Sequence, residues 1–340
     1  MAWPSTDPEQ VEIGLYPGAT IADVQAREGQ ISASLGYSVA GFPGWSFIYM
    51  GSTMPSGYDG RRYHIVNIQS RDGTLGGAPD VAWSAVTAGT YDAKLITVLS
   101  SINARMPNTD PIYLSWHQEQ DGAGGQGTAA EYRSSFIHVK ALAATYCPRA
   151  LLGQITASES RFVAWCVPEA EWYGLDPHAY TWNGTSGAAT AGTFASRMSA
   201  ILSALSAAGQ AGAPYSVHTG ASLPMTTAEA IAAGYPAGNV TAGNTAVSET
   251  SWEVNWITDM VNGLAQGRAL WGDNLLFATW WDRDGTINNR AADERINSDP
   301  TVYTAFIQAF VPTVVVPPDP TPTFVPGVIP IVRRFFSMAG

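Results

Sequence analysis

The sequence is poor in charged residues and contains almost no lysine. Charged residues make up 13% of its 340 residues, well below the roughly 25% of an average globular protein. Lys94 and Lys140 are the only lysines, and the formal net charge is −11. Because phosphate groups are neutralised by clustered Lys and Arg, this balance argues against nucleic acid and against an anionic membrane surface as partners.

Cysteine and long apolar runs are also scarce. Cys147 and Cys166 cannot form a disulfide framework in a chain of this length, so two buried free thiols are expected, with a single bridge as the alternative. No run of 18 apolar residues predicts a membrane span. The first residues, 1–7, show no signal-peptide pattern. We therefore expect a cytoplasmic protein or a component assembled inside a cell.

Signatures of metal and cofactor sites are missing as well. The sequence contains no HExxH, GxSxG or P-loop pattern, and its histidines are too scattered for a zinc site. Residues 282–285 read Asp-Arg-Asp-Gly but lack the remaining ligands of a calcium loop. We predict no metal and no cofactor, and expect this segment, with Arg71 and Asp72, at the rim of the site.

Aromatic residues and glycine are plentiful. The chain has 12 Trp, 14 Tyr and 34 Gly, and 46% of its residues are hydrophobic. Such a chain can bury a sizeable core, and a surface rich in aromatic rings favours neutral, hydroxyl-rich ligands.

Short apolar runs alternate with longer helical patterns, which is typical of βα units on a parallel sheet. Eight runs predict strands: Glu12–Leu15, Trp45–Tyr49, His64–Ile68, Ile112–Trp116, Leu151–Ile155, Trp172–Leu175, Ala246–Ser248 and Leu275–Thr279. Helical periodicity marks Tyr91–Met106, Ala129–Tyr146 and Thr193–Ala208. Eight strands close a barrel, so residues 1–311 are predicted to form one α/β domain, a (β/α)8 TIM barrel. Tyr215–Asn244 exceeds a usual βα connection and is interpreted as a loop insertion.

The composition changes after about Val311. Residues 312–323 form a proline-rich linker, which holds the chain extended. Residues 324–340 are apolar and are predicted to be a C-terminal tail that docks on a partner protein, with a disordered terminus as the alternative.

Two predicted strands end in glutamates. Glu119 follows the fourth strand within Trp116-His117-Gln118-Glu119, and Glu249 follows the predicted seventh strand. Hydrolysis of a glycosidic bond needs two carboxyl groups, one to protonate the leaving oxygen and one to attack or to activate water. In a barrel enzyme such groups lie at the carboxyl ends of strands. The pair therefore predicts a glycosidase, although Glu119 could be a loop carboxylate and Glu249 a helix cap.

At these residues the sequence resembles the family 26 glycoside hydrolases, the β-mannanase-like group. The segments that carry the resemblance are residues 89–92 (Gly-Thr-Tyr-Asp), 117–119, 131–133 (Glu-Tyr-Arg), 172–180 and 247–250 (Val-Ser-Glu-Thr). The resemblance implies a retaining mechanism with Glu119 as the acid/base and Glu249 as the nucleophile. In the family pattern Glu follows His directly, whereas Gln118 separates them here. If Gln118 occupies the acid position, the acid is missing.

Aromatic residues near the predicted strand ends are candidates for sugar platforms. Trp116 precedes the acid, Trp280 and Trp281 follow the eighth strand, and Tyr180 and Trp182 are expected at the end of strand six. His117 is a candidate hydrogen-bond partner of the substrate or the nucleophile, and a packed histidine is the alternative. Each Trp has the same alternative of a place in the core.

Two functions therefore remain open. The first is a retaining glycoside hydrolase that acts on a cell-surface β-glycan, and the second is a carbohydrate-binding or structural barrel without efficient chemistry. With either, the linker and the tail favour a bacteriophage minor tail protein, bound to other virion proteins through residues 313–340. A free cytoplasmic enzyme is the alternative.

Overall fold

The computed structural model describes residues 12–16, 21–35, 44–54, 64–73, 79–106, 111–118, 120–121, 126–157, 159–176, 180–182, 187–189, 194–219 and 274–281. Its strands are β1 (Glu12–Tyr16), β2 (Gly44–Tyr49), β3 (His64–Gln69), β4 (Ile112–Trp116), β5 (Ala150–Thr156), β6 (Tyr173–Leu175), β7 (Tyr180–Trp182), β8 (Gly187–Ala189), β9 (Tyr215–Thr219) and β10 (Leu275–Trp281). Its helices are α1 (Ile21–Leu35), α2 (Trp83–Thr87), α3 (Asp92–Arg105), α4 (Ala129–Tyr146), α5 (Glu159–Trp165) and α6 (Phe194–Ala207).

Eight of the strands form one parallel sheet in the order β1-β10-β9-β6-β5-β4-β3-β2. The two ends of this order, β1 and β2, lie side by side with Cα atoms within 8 Å of each other. The sheet therefore curls into a (β/α)8 barrel, and the predicted fold class is confirmed. Among the described residues, no helix is both long and apolar enough to cross a membrane.

The predicted seventh strand is wrong. The seventh place in the barrel belongs to β9, which pairs with β6 on one side and β10 on the other. Prediction took Tyr215–Asn244 as a loop, but its first five residues are this strand. Residues 246–248 lie outside the described residues. The strand was missed because its alternation of Tyr215 and Val217 with the polar Ser216 and His218 is short.

The barrel has two apolar layers because neighbouring side chains of a strand point to opposite faces. On β3 and β4, Val66, Ile68 and Leu114 pack against α3 and α4 in an outer cluster. Inside the barrel, Tyr113 packs with Trp172. Strand β3 is buried along almost its whole length, which is typical of a strand covered on both faces. Full burial of such side chains stabilises the fold by about 1.5–3 kcal/mol each.

The barrel interior is tightly filled around β5. A Cβ atom on Gly153 would lie 2.1 Å from Cε2 of Trp172. Glycine is therefore required at this position, because the indole of Trp172 lies directly against its backbone. The two cysteines are free, with Cys147 buried and Cys166 partly buried.

Candidate functional site

The site is expected at the carboxyl ends of the strands, where active sites of such barrels lie. Trp116, the last residue of β4, is fully buried in the outer cluster and not at this mouth. Its indole N–H donates to Ser135 Oγ at 2.9 Å. The hydroxyl of Tyr132 donates to its carbonyl at 2.7 Å, and burial raises the pKa of that hydroxyl well above its ordinary value. Helix α4 therefore holds the end of β4 in place.

His117 turns the chain at the end of β4. Its φ of 47° lies in the left-handed region, which is costly for a residue other than glycine. Its backbone N–H donates to the carbonyl of Ile68 at 2.9 Å. Its ring packs edge-on against Trp83, with 5.6 Å between the ring centroids. Burial, with a smaller contribution from the charge of Arg71, lowers the pKa of His117 to about 3, so its ring is neutral at physiological pH.

Gln118 is held inside the barrel by an amide pair. Asn67 Nδ2 donates to Gln118 Oε1 at 3.0 Å, and the backbone N–H of Gln118 donates to Asn67 Oδ1 at 3.3 Å. Both side chains are buried. Gln118 therefore has a structural partner of its own on β3.

The residues that follow are anchored to β5. Gln120 is fully buried and donates from Nε2 to Thr156 Oγ1 at 3.0 Å. Asp121 accepts the backbone N–H of Ala157 at 2.9 Å. Glu119 lies outside the described residues, but the chain on either side of it is fixed, by β3 before and by β5 after. Sequence reasoning missed Asn67, Gln120 and Asp121, although the last two follow a strand end, which is the available signal.

At the neighbouring corner of the mouth, Arg71 lies beside β2. Its guanidinium carbon is 5.8 Å from the ring centroid of Tyr49. Its Nε lies 2.8 Å from Asp80 Oδ1 in an ion pair without an aligned hydrogen bond. About 43% of the Arg71 side chain is exposed. The expected rim position of Arg71 agrees with this exposure.

On the opposite side, β9 ends in His218 and Thr219. His218 is fully buried, and its Nε2 lies 2.9 Å from Ser216 Oγ. No carboxylate ends β9, and the predicted position of Glu249 remains a prediction from the sequence. Glu249 itself lies outside the described residues, within the connection from β9 to β10. Asp176, which follows β6, is a buried carboxylate that sequence reasoning missed.

The other predicted aromatic positions differ in detail from the prediction. Strand β6 ends at Leu175, so Tyr180 and Trp182 do not end it but form β7, which pairs antiparallel with β8. Trp280 and Trp281 do not follow β10 but are its last two residues, with Trp280 paired to Thr219 of β9. These residues are described by their backbone positions alone, and Asp282–Gly285 lie outside the described residues.

No family model and no curated protein matches the chain. Experimental structures do resemble it. A β-mannanase from a symbiotic protist of the termite Reticulitermes speratus has 11% identity and a TM-score of 0.43, over 63% of this chain and 75% of that one. An exo-β-1,4-mannosidase from Opitutaceae bacterium strain TAV5 has 12% identity and a TM-score of 0.49, over 87% and 54%. A Bacteroidetes-affiliated family 5 cellulase has 12% identity and a TM-score of 0.46, over 89% and 91%. These likenesses to glycoside hydrolases concern the fold alone, which the strand order already establishes.

Proposed function

We propose that this chain is a retaining glycoside hydrolase that acts on a cell-surface β-glycan, with Glu119 as its acid/base. The observation that supports the proposal is the anchoring of the chain around residue 119. Gln118 is bound to Asn67 and Gln120 to Thr156, so a carboxylate between them leaves a rigid support. A general acid must be held in a fixed position beside the leaving oxygen.

The second carboxylate in the proposal is Glu249. The connection that contains it leaves β9 at the mouth of the barrel, so its residues start from the correct end. A retaining mechanism requires the two carboxyl groups to lie about 5–5.5 Å apart. In the substrate complex we also assign sugar stacking to Trp280 or Trp281, since neighbouring residues of a strand point to opposite faces. Tyr180 and Trp182 are the second pair of candidate platforms, and Trp116 is not part of the proposal because it is buried.

The test compares two substrates that differ in their need for an acid. Mannohexaose needs protonation of its leaving oxygen, whereas an activated aryl β-mannoside does not. Glu119→Gln should lower turnover of mannohexaose by about 10²–10⁴-fold and spare cleavage of the aryl bond. Glu249→Gln should abolish both. Proton NMR of the first product should show the β-anomer.

The matched control is Glu169→Gln. Glu169 precedes β6 and forms a solvent-accessible ion pair with Arg133 of α4. This variant should hydrolyse both substrates like the unaltered protein. Equal loss from Glu169→Gln and Glu119→Gln, or full activity of Glu119→Gln on mannohexaose, would remove Glu119 from the mechanism.

A specific observation favours a second candidate, a glycan-binding barrel without chemistry. Strand β9 ends in His218-Thr219, where the proposed mechanism would place a nucleophile. If the chain is such a barrel, mannohexaose should bind with equal affinity to the unaltered protein and to Glu249→Gln, and neither should form product.

The proposed biological setting is a bacteriophage tail, in which residues 313–340 dock on other virion proteins. Its support is the sequence of the proline-rich linker and the apolar tail, which lie outside the described residues. Deletion of residues 313–340 should abolish assembly into the particle and leave glycan binding intact. Normal assembly of the truncated chain would contradict the docking function of the tail.

A further inference from the structure

Ser70, the residue that follows β3, lies at the centre of a buried hydrogen-bond cluster. Its Oγ receives the indole N–H of Trp83 at 3.2 Å and Nε2 of Gln126 at 3.3 Å. Gln126 Nε2 also lies 3.5 Å from the carbonyl oxygen of Ser70, which only accepts, so this atom of the amide is the nitrogen. Both donors therefore point at Ser70.

Among the described residues, the proton of the Ser70 hydroxyl consequently has one acceptor. A hydroxyl oxygen has two lone pairs and one proton. Trp83 and Gln126 occupy the lone pairs, and the third neighbour is His117 Nδ1 at 2.7 Å. Ser70 therefore donates its proton to the imidazole.

A second bond reaches the same ring nitrogen. The backbone N–H of Ser70 lies 3.2 Å from His117 Nδ1, and a backbone N–H cannot accept. Nδ1 therefore faces two donors and carries no proton. In a neutral imidazole the proton then resides on Nε2. Among the described residues, none accepts a hydrogen bond from Nε2.

From this geometry we infer that Ser70 is a positioning residue that locks His117 in the Nε2–H tautomer, so that the ring presents a neutral hydrogen-bond donor two residues before Glu119. The left-handed backbone at His117 and its N–H bond to Ile68 fix the ring from the other side. The donor would serve an oxygen of the bound glycan, and this second step rests on the proposed function.

The tautomer is tested without any ligand. Long-range ¹H–¹⁵N correlation spectra of the ¹⁵N-histidine-labelled protein resolve both ring nitrogens of its five histidines, and His117→Asn identifies the signals of His117. We expect an unprotonated Nδ1 and a protonated Nε2 throughout pH 5–8. A protonated Nδ1 in the unaltered protein would overturn the inference.

Variants of Ser70 test its hydroxyl. Ser70→Ala should move the Nδ1 signal toward that of a more weakly bonded nitrogen, while Ser70→Thr, which keeps a hydroxyl, should leave it in place. An unchanged Nδ1 signal in a folded Ser70→Ala protein would assign the tautomer to the backbone N–H alone and contradict the part given to the hydroxyl. If Ser70→Ala does not fold, the spectrum of the unaltered protein still decides.

Mannohexaose tests the donor. Its addition should shift the Nε2 signal of His117 and leave Nδ1 unprotonated, and His117→Asn should weaken binding by about tenfold, the worth of one neutral hydrogen bond. Binding that leaves Nε2 unshifted would refute the donor step and spare the proposed function. Absence of both binding and hydrolysis would count against the proposed function. The ¹H–¹⁵N spectrum of the ligand-free protein would still decide the tautomer.

Discussion

The barrel ends differently at β4 and at β9. The residues after β4 are buried and hydrogen-bonded to the ends of the neighbouring strands. Asn67 and Ser70, on and after β3, bond Gln118 and His117. Thr156 and Ala157, at the end of β5, bond Gln120 and Asp121. At the end of β9, the polar His218 is buried beside Ser216 of its own strand.

This difference shows which strand end is held in place by neighbouring strands. The end of β4 is hydrogen-bonded to β3 and β5 on either side, and such an arrangement keeps a side chain in a fixed position. At the end of β9, the contact that the structure describes is the one between Ser216 and His218 of the same strand. The predictions below test how much the contacts at the end of β4 contribute to the stability of the fold.

The largest expected effect comes from Trp83, which is fully buried and lies under the end of β4. Its indole contacts His117, Tyr132 and Trp165 and donates to Ser70. Trp83→Ala should lower the free energy of unfolding by about 3–5 kcal/mol. Urea unfolding measures the loss.

Trp83→Phe is the control for the hydrogen bond. It keeps a ring but leaves Ser70 with one donor fewer, so it should cost less than Trp83→Ala. Equal stability of Trp83→Ala and the unaltered protein would show that the end of β4 does not depend on this cluster.

The next effect compares two glycines inside the barrel. A Cβ on Gly153 would meet the rigid, buried indole of Trp172 at 2.1 Å, whereas one on Gly174 would meet Ile155 Cγ1 at 2.6 Å and His218 Nε2 at 2.8 Å. Gly153→Ala should therefore cost about 3 kcal/mol, at the upper end of the cost of overpacking, and Gly174→Ala less. Thermal unfolding of both variants checks the order. The reverse order would mean that the β9 side is the more rigid one.

Most of the fold could be predicted from sequence because apolar periodicity marks elements that are covered by neighbours. Strand β4 and helix α4 were predicted to the residue, and seven of the eight barrel strands were found. Strand β9 was missed because its alternation of apolar and polar residues is short, and the contact between Ser216 and His218 is not visible before folding.

The site was less predictable for a related reason. The positions of Glu119 and Glu249 remain predictions from the sequence. The cluster of Ser70, Trp83 and Gln126 comes from three separate segments, and no spacing in the chain brings them together. Trp116 was predicted at the mouth because it precedes the candidate acid, but alternation along β4 turns it toward α4.

A third prediction concerns acid stability. The pKa of His117 is lowered to about 3 by burial and by Arg71, against about 6.5 in an unfolded chain. Between these values the unfolded state binds a proton that the folded state refuses, so stability falls as the pH falls from 6.5 toward 3. At pH 5 the loss is about 2 kcal/mol.

His117→Asn checks this value because Asn tolerates the left-handed backbone. The difference in unfolding free energy between this variant and the unaltered protein should change by about 2 kcal/mol between pH 7 and pH 5, while the buried His64 and His218 are present in both. The groups that bond the ring, Ser70 and its partners Trp83 and Gln126, are neutral. Within the described part of the chain, Arg71 is the charge that acts on the ring. A difference that does not vary with pH would mean that the fold does not lower the pKa of His117.

The smallest effect is expected at the start of α4, the helix that holds Trp116. Thr128 Oγ1 accepts the N–H of Glu131 at 3.3 Å, and Glu131 Oε2 accepts the N–H of Thr128 at 2.8 Å, which completes a capping box. Thr128→Ala should cost about 1 kcal/mol in unfolding free energy, and Thr128→Ser should cost less because it keeps the cap.

The hydrogen bonds from Thr128 lower the pKa of Glu131. The contribution of this bonded carboxylate is therefore present above its ordinary pKa and is lost as the pH falls through its lowered one, so the deficit of Thr128→Ala should shrink in acid. A deficit that stays constant into acid would assign the cap to the Thr128 hydroxyl alone, and no deficit at neutral pH would show that tertiary contacts of Tyr132 and Ser135 hold α4 against the end of β4 without it.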